Sequence, residues 1–326
     1  MPTRVTTDVQ RAAAALLAGE LVAFPTETVW GLGAVVDDPL AIAQIFEAKG
    51  RPADNPLIVH VASVADARAL LDDSDAGVLA SRLLARFAPG PVTVVVPRPP
   101  SISARVSAGL DTVALRVPSH TVAAALLAAV GRPVAAPSAN RSGRPSPTSA
   151  AGVLASLDGR VPWILDGERS VVGLESTVID CLSGEAMILR AGAVGLEEVR
   201  TISPAAGVAT HDEALARSPG TRHRHYAPRC RVLIYDPAAS GDEGTRLARA
   251  HTGAAAYIGV GPPPREIEWA LVERCEDARA YARALFEVMR RCDEASLTLL
   301  VCERPQDSGI GVAILDRLRR ASQSSD

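Results

Sequence analysis

Lysine occurs once in this 326-residue chain, at Lys49, and asparagine twice, at Asn55 and Asn140, although Lys and Arg together number 34. An ammonium is a compact point charge, and a carboxamide both donates and accepts, so neither is freely exchanged where a ligand is held. Lys49 and Asn55 share the stretch Lys49-Gly-Arg51-Pro-Ala-Asp-Asn55-Pro-Leu-Ile-Val-His60. Asn140 lies in Pro137-Ser138-Ala-Asn140-Arg-Ser-Gly-Arg-Pro-Ser146-Pro-Thr148, which packs four hydroxyls, an amide, two arginines and a glycine into one loop. Backbone N–H groups and hydroxyls of such a loop can cradle phosphate oxygens while cations offset their charge. As a bare pattern it also reads as a solvated linker.

Other candidates are scattered between these loops. Pro25-Thr-Glu-Thr28-Val-Trp30-Gly-Leu-Gly33 puts hydroxyls at the end of a strand, where α/β proteins bind ligands; its Gly-x-Gly alone is weak. Arg116 ends the apolar strand that begins at Thr112, so it needs an anionic partner, either a structural carboxylate or a ligand's. His60 reads as a satisfied core histidine or as a site residue. Ser176 and Arg190 sit on two strands that look like a hairpin pair. The segment Ser218-Pro-Gly-Thr-Arg-His-Arg-His-Tyr226-Ala-Pro228 is either a strap lying on something or an exposed tether.

The elements that must position these residues follow from apolar period and capping signals. Helices are predicted over 8–18, 38–48, 75–87, 119–130 and 196–200, and strands over 21–24, 57–61, 92–96, 112–117, 133–136, 162–165, 175–180 and 186–190. The period fades from 203 to 230. A second alternation follows, with strands at 231–235, 254–259 and 297–302 and helices near 243–251, 277–291 and 310–320. The expected architecture is α/β, a twisted open sheet with helices followed by a smaller, mostly parallel Rossmann-like α/β domain. Its expected divisions are 1–204, a linker at 205–230 that closes over the site, and 231–326.

Composition limits the function classes. Hydrophobic residues reach 48% and aromatics only 3%, so Ala, Val and Leu must fill the cores. A net charge of −3 supplies no overall attraction to nucleic acid or an anionic membrane. The five cysteines are scattered, without a Cys-x-x-Cys pair, and read as reduced residues of a cytoplasmic protein. No apolar run approaches the ~18–20 residues of a membrane span, and the start lacks a signal-peptide core.

Taken together the motifs resemble the YrdC-like domain of L-threonylcarbamoyladenylate synthases. They are the 25–33 and 49–60 stretches, Pro89-Gly-Pro-Val-Thr93, Arg116-Val-Pro, Ala136–Thr148 and Glu175-Ser-Thr-Val. The strap and the last domain resemble the family's long, two-domain form. The resemblance implies an enzyme that joins L-threonine, bicarbonate (or CO₂) and ATP into threonylcarbamoyl-AMP and pyrophosphate. A downstream tRNA threonylcarbamoyl transferase would use the product at position 37 of tRNA. It implies a catalytic group of Lys49, Arg51, Ser138 and Asn140. ATP contacts fall on Arg51, Asn55, Thr112, Ser138, Ser146, Arg190 and Tyr226, and threonine contacts on Thr28, His60, Arg116, the backbone at Ala136, and Ser176. Mg²⁺ would enter on the ATP phosphates rather than on side-chain ligands. Trp30 departs from the family's usual Tyr, and Thr221 from its usual Met.

No Ser-His-Asp or Cys-His pair suggests a nucleophile, so no covalent enzyme intermediate is expected. A monomer is expected, with at most weak contact to tRNA. Two competing readings are a carbamoyl-adenylate-forming carbamoyltransferase, which the missing zinc-finger and acylphosphatase segments disfavour, and a double-stranded RNA-binding module, which the net acidity disfavours.

Overall fold

A computed structural model describes residues 2–210, 212–219, 226–238, 254–265 and 267–322. The first elements are β1 (Arg4–Thr6), α1 (Val9–Leu17), β2 (Val22–Phe24), β3 (Gly31–Val35), α2 (Pro39–Lys49), β4 (Ile58–His60), α3 (Val64–Arg68) and α4 (Asp75–Phe87). Then come β5 (Val92–Pro97), β6 (Thr112–Arg116), α5 (Thr121–Val130), β7 (Val134–Ala135), α6 (Ala150–Leu157), β8 (Trp163–Leu165), β9 (Thr177–Asp180) and β10 (Met187–Arg190). The chain continues through α7 (Leu196–Arg200), β11 (Gly207–Val208), α8 (Asp212–Leu215), β12 (Arg231–Tyr235), β13 (Ala255–Gly259) and β14 (Trp269–Arg274). It ends with α9 (Ala278–Glu294), β15 (Leu299–Glu303) and α10 (Ile310–Ser322).

Eleven of the described strands form one mixed sheet in the order β1-β8-β2-β3-β7-β4-β6-β5-β9-β10-β11, and four form a second, parallel sheet, β12-β15-β13-β14. The two sheets bear out the expected α/β architecture. Helix α2 shows how local chemistry aims the site. Asp38 caps it by accepting from the Leu40 and Ala41 amides, Pro39 occupies its first turn, and Gly50 stops it in the left-handed region at φ 60°. Lys49 is thereby delivered as its last residue. β4 and β6 run parallel with His60 opposite Arg116, so both side chains leave the same face.

Several elements escaped the sequence reading. β1 has three residues, none buried, and exists because β8 pairs with it. Helix α6 (Ala-Ala-Gly-Val-Leu-Ala-Ser-Leu) follows a Pro/Ser loop and shows little amphipathic contrast; its start is marked only by the Ser149 cap. The Gly-Leu-Gly of the 25–33 motif lies within β3, and a Cβ on Gly33 would come 2.9 Å from the Phe24 ring. The close approach is to a core ring. β11 and α8 occupy part of the stretch read as featureless, and β14 was missed. The helix expected at 243–251 lies outside the described residues.

Loops of the first part of the chain help to fill the second sheet's core. The apolar cluster under the second sheet, built on Tyr281, Leu285, Phe286, Ile314 and Leu318, also takes in Val29 and Leu174 from the first part of the chain and Tyr226 from the strap. Gly173, at φ +81°, makes this possible: a Cβ there would lie 2.4 Å from Arg283 Cα and 2.6 Å from Ala282 O on α9. Gly173→Ala is expected to destabilise the protein by about 2–4 kcal/mol, from the left-handed backbone plus backbone overpacking. A urea titration followed by intrinsic fluorescence checks this; an unchanged midpoint would contradict the close docking.

Candidate active site

One small pocket gathers the cations. Arg51, Arg116 and Arg190 line it with His60, Ser138 and Trp30, and the Ala136 backbone segment forms part of its wall. Pro219 and Tyr226 from the strap close it. Its volume is about 50 Å³, room for ~4 waters and far less than a nucleotide needs.

Each cation has its own support. Arg116 donates through Nη2 to Glu27 Oε1 at 2.8 Å and to Thr28 Oγ1 at 2.7 Å. Thr26 Oγ1 donates to Val29 O, so the Thr26–Thr28 bond at 2.8 Å takes its proton from Thr28. The partner of Arg116 is thus the structural carboxylate Glu27, and its Nε remains unpartnered. Arg51 is held by its own turn: Nε donates to Asn55 O and Nη2 to Asn55 Oδ1 and Pro56 O. Asn55 serves here to aim Arg51 and does not line the pocket. Arg190 donates to Ser176 O, Ser176 Oγ and, at 2.8 Å, the strap carbonyl Pro219 O. Ser176 Oγ also bonds Thr93 Oγ1 at 2.7 Å.

Lys49 stands behind this layer. Its ammonium donates to the carbonyls of Ser138 and Asn140, each at 2.5 Å, and its own carbonyl accepts from the Ser142 amide. Asn140 spends Nδ2 on the carbonyls of Arg141 and Arg144, leaving Oδ1 buried and unpartnered. Ser146 donates to Glu175 Oε1 at 2.6 Å. Thr112 shares the Arg116 face of β6 but lies beyond Ala114, which belongs to an apolar cluster that Ala209 and Ala214 of the linker pack against. The structure gathers Arg51, His60, Arg116, Ala136, Ser138, Arg190 and Tyr226 on one pocket, places Lys49, Thr28, Asn55 and Ser176 in contact with those residues or their loops, Asn140 on the same loop, Ser146 on Glu175 of the pocket wall, and leaves Thr112 off its lining.

Burial sets the electrostatics. Burial first, then Arg51, pushes the Lys49 ammonium well below its usual range. Burial likewise lowers Arg51 and Arg190, with Tyr226 opposing in each case. None of the ion pairs among the described residues involves Lys49, Arg51 or Arg190. All five buried side-chain atoms without a partner among the described residues belong to the same motifs: Glu27 Oε2, Trp30 Nε1, Arg116 Nε, Asn140 Oδ1 and Ser142 Oγ. Three of the five can donate, Trp30 Nε1, Arg116 Nε and Ser142 Oγ, and with the unpaired cations they suit an anionic ligand, whereas Glu27 Oε2 and Asn140 Oδ1 can only accept.

A Sua5/YciO/YrdC family model, described as telomere recombination, matches residues 14–192. A second, described as the threonylcarbamoyl-AMP synthase C-terminal domain, matches 192–323. The chain belongs to the Sua5/YrdC family. Relatives named threonylcarbamoyl-AMP synthase include those of Pyrococcus abyssi (39% identical, covering 93% of this chain and 91% of that protein) and Bacillus subtilis (38%, 96% and 92%). The crystal structure of P. abyssi Sua5 complexed with L-threonine superposes with a TM-score of 0.86 at 37% identity, covering 97% of this chain and 94% of that one.

Sequence reasoning missed Glu27 as the partner of Arg116, although it lies inside a quoted motif, and Glu175, one residue before Ser176. It also missed Arg317, which no local pattern marks. His60 gives a pH test. Burial, then Arg116, pushes its ring down to about 3 against the Ile58 and Val134 carbonyls, so it is neutral at pH 7 and donates Nδ1–H to Ile58 O. Unfolding returns the ring to about 6.5. The unfolded chain thus takes up the proton first, and stability falls as pH drops below that value. Between pH 7 and 5 His60 is expected to cost about 2 kcal/mol. Unfolding free energies of wild type and His60→Gln from urea titrations at the two pH values should diverge by that amount; parallel pH profiles would contradict a buried neutral ring.

Proposed function

We propose that this protein is an L-threonylcarbamoyladenylate synthase, joining L-threonine, bicarbonate and ATP into threonylcarbamoyl-AMP with release of pyrophosphate and water. The observation that carries the reading is the buried set of Lys49, Arg51 and Arg190, none of which is in an ion pair among the described residues, beside a fourth cation, Arg116, paired with Glu27. A triphosphate balances the first set, and an amino-acid carboxylate suits the forked head of Arg116. Thr28, neutral His60, the Ala136 backbone and Ser176 then surround the threonine. Ser138, Asn140, Ser146, Asn55 and Tyr226 flank the nucleotide, with Thr112 farther along β6. The threonine-bound P. abyssi relative supports the amino-acid half of this assignment.

The reaction needs no enzyme nucleophile. Threonine's amine and bicarbonate give a carbamate; a carbamate oxygen attacks the α-phosphorus, and the bond to the bridging oxygen breaks as pyrophosphate leaves. The chain holds the partners in line and neutralises charge that builds on phosphoryl oxygens. Lys49 has three donors and spends two on loop carbonyls, leaving the third for a phosphate. Mg²⁺ would enter as part of the Mg·ATP substrate, and the unpartnered Asn140 Oδ1 would suit a water that it carries. Strap closure through Pro219 and Tyr226 keeps water from the labile carbamate.

Divisions at 1–204, 205–230 and 231–326, monomeric action in the cytoplasm, and delivery of the adenylate to a tRNA threonylcarbamoyl transferase complete the proposal. No helix among the described residues is long and apolar enough to cross a membrane. The test is pyrophosphate release with threonine, bicarbonate and ATP, and its loss when threonine is omitted. Lys49→Ala is expected to lower kcat by roughly 10²–10³, the usual effect of removing a preorganised charge-stabilising donor. Release that ignores threonine, or a Lys49→Ala enzyme with full kcat, would overturn the assignment.

A further inference from the structure

A residue of the last helix reaches the site from behind. Arg317 on α10 has no solvent exposure. Its Nε donates to Glu175 Oε2 at 3.0 Å, its Nη2 to Ala191 O at 3.0 Å and its Nη1 to Asp316 Oδ2 at 2.6 Å. Its guanidinium carbon sits 5.3 Å from the centre of the Tyr226 ring, which stacks on Phe286 from its other neighbourhood at 5.4 Å. Every partner except Asp316 is a site residue or adjoins one. Glu175 lines the pocket, bonds Ser146 and precedes Ser176; Ala191 follows Arg190; Tyr226 closes the strap.

The charge arrangement gives this contact a purpose. Glu175 is a carboxylate in a pocket meant for anions, and Arg190 is the pocket cation whose charge it feels. Burial alone would raise the Glu175 carboxyl, but Arg317 first, then Arg190 and the Ser146 hydroxyl, hold it below its usual range. With Arg317 in place, Glu175 has a full ion-pair partner on the side away from the pocket, and Arg190 keeps its bonds to Ser176 and Pro219. Without it, the nearest compensating cation for a buried carboxylate is Arg190 itself.

We propose that Arg317 is a positioning residue of the nucleotide site: it neutralises Glu175 from the C-terminal domain, so that Arg190 stays available to phosphate and Tyr226 keeps a cationic platform under its ring. This gives the C-terminal domain a direct part in nucleotide binding. The proposal rests on reading Arg190 as a phosphate ligand.

The experiment is calorimetric titration of the full-length protein with Mg·ATP, for wild type, Arg317→Gln, Arg317→Lys and the double variant Glu175→Gln/Arg317→Gln. Arg317→Gln is expected to weaken ATP binding about tenfold or more, because the freed carboxylate captures Arg190 and repels phosphate. The double variant removes that carboxylate and should recover to within about threefold of wild type. A residue that merely docked the two domains would show no such rescue. Arg317→Lys keeps the charge without the fork and should fall between, so it carries the comparison if Arg317→Gln fails to fold. Wild-type affinity in Arg317→Gln or, should that variant not fold, in Arg317→Lys overturns the proposal. A double variant as weak as the single one also overturns it. A wild-type protein that binds no ATP overturns both this inference and the assignment beneath it.

Discussion

The rest of the site depends on one buried ammonium shared between two segments that are far apart in the chain. Lys49 leaves the end of α2 and donates to the carbonyls of Ser138 and Asn140, while the Ser142 amide donates back to the Lys49 carbonyl. A buried cation is costly unless its donors are met, and here backbone oxygens meet two of the three. The cap at Asp38 and the left-handed stop at Gly50 fix where the ammonium emerges. The bridge from Gly31 to Ser138 and the Ala139 amide on Trp30 O fix where the loop receives it. Lys49 thereby shapes the polar loop before any ligand arrives.

Around that anchor the protein keeps positive charge in deliberate imbalance. Two of the site's carboxylates are each matched by a guanidinium, Glu27 by Arg116 and Glu175 by Arg317. What remains, Lys49, Arg51 and Arg190, is cationic, enclosed and oriented by backbone carbonyls and by the Asn55 and Ser176 side chains. Backbone acceptors hold a guanidinium without discharging it, so the net charge stays free for a ligand. On the proposed function, the strap carbonyl Pro219 O occupies an Arg190 donor that a phosphate oxygen would need.

Much of this was legible in the sequence. The scarcity of Lys and Asn pointed to the two loops that the structure joins. Clear periodicity and caps gave α4, which runs over Asp75–Phe87 as expected, and the β9–β10 hairpin. Elements that failed to show were those whose existence depends on partners: three-residue β1, which needs β8, and Ala/Gly/Ser-rich α6, whose weak amphipathic pattern hides it. Among site residues the split follows the same line. Arg116 announced itself as a charge on an apolar strand, but its carboxylate partner was not identified. Arg317, within Asp-Arg-Leu-Arg-Arg on an amphipathic helix, looks like one more solvated charge. Only the packing of α10 against the strap and Glu175 gives it a role.

The most direct test of the anchor is amide hydrogen exchange, followed by mass spectrometry, in wild type and Lys49→Met. If the ammonium holds the loop, peptides spanning 138–148 should lose protection in the variant while those covering β2, β3 and β6 keep theirs. Equal protection of 138–148 in both proteins would contradict the claim that this single cation organises the site.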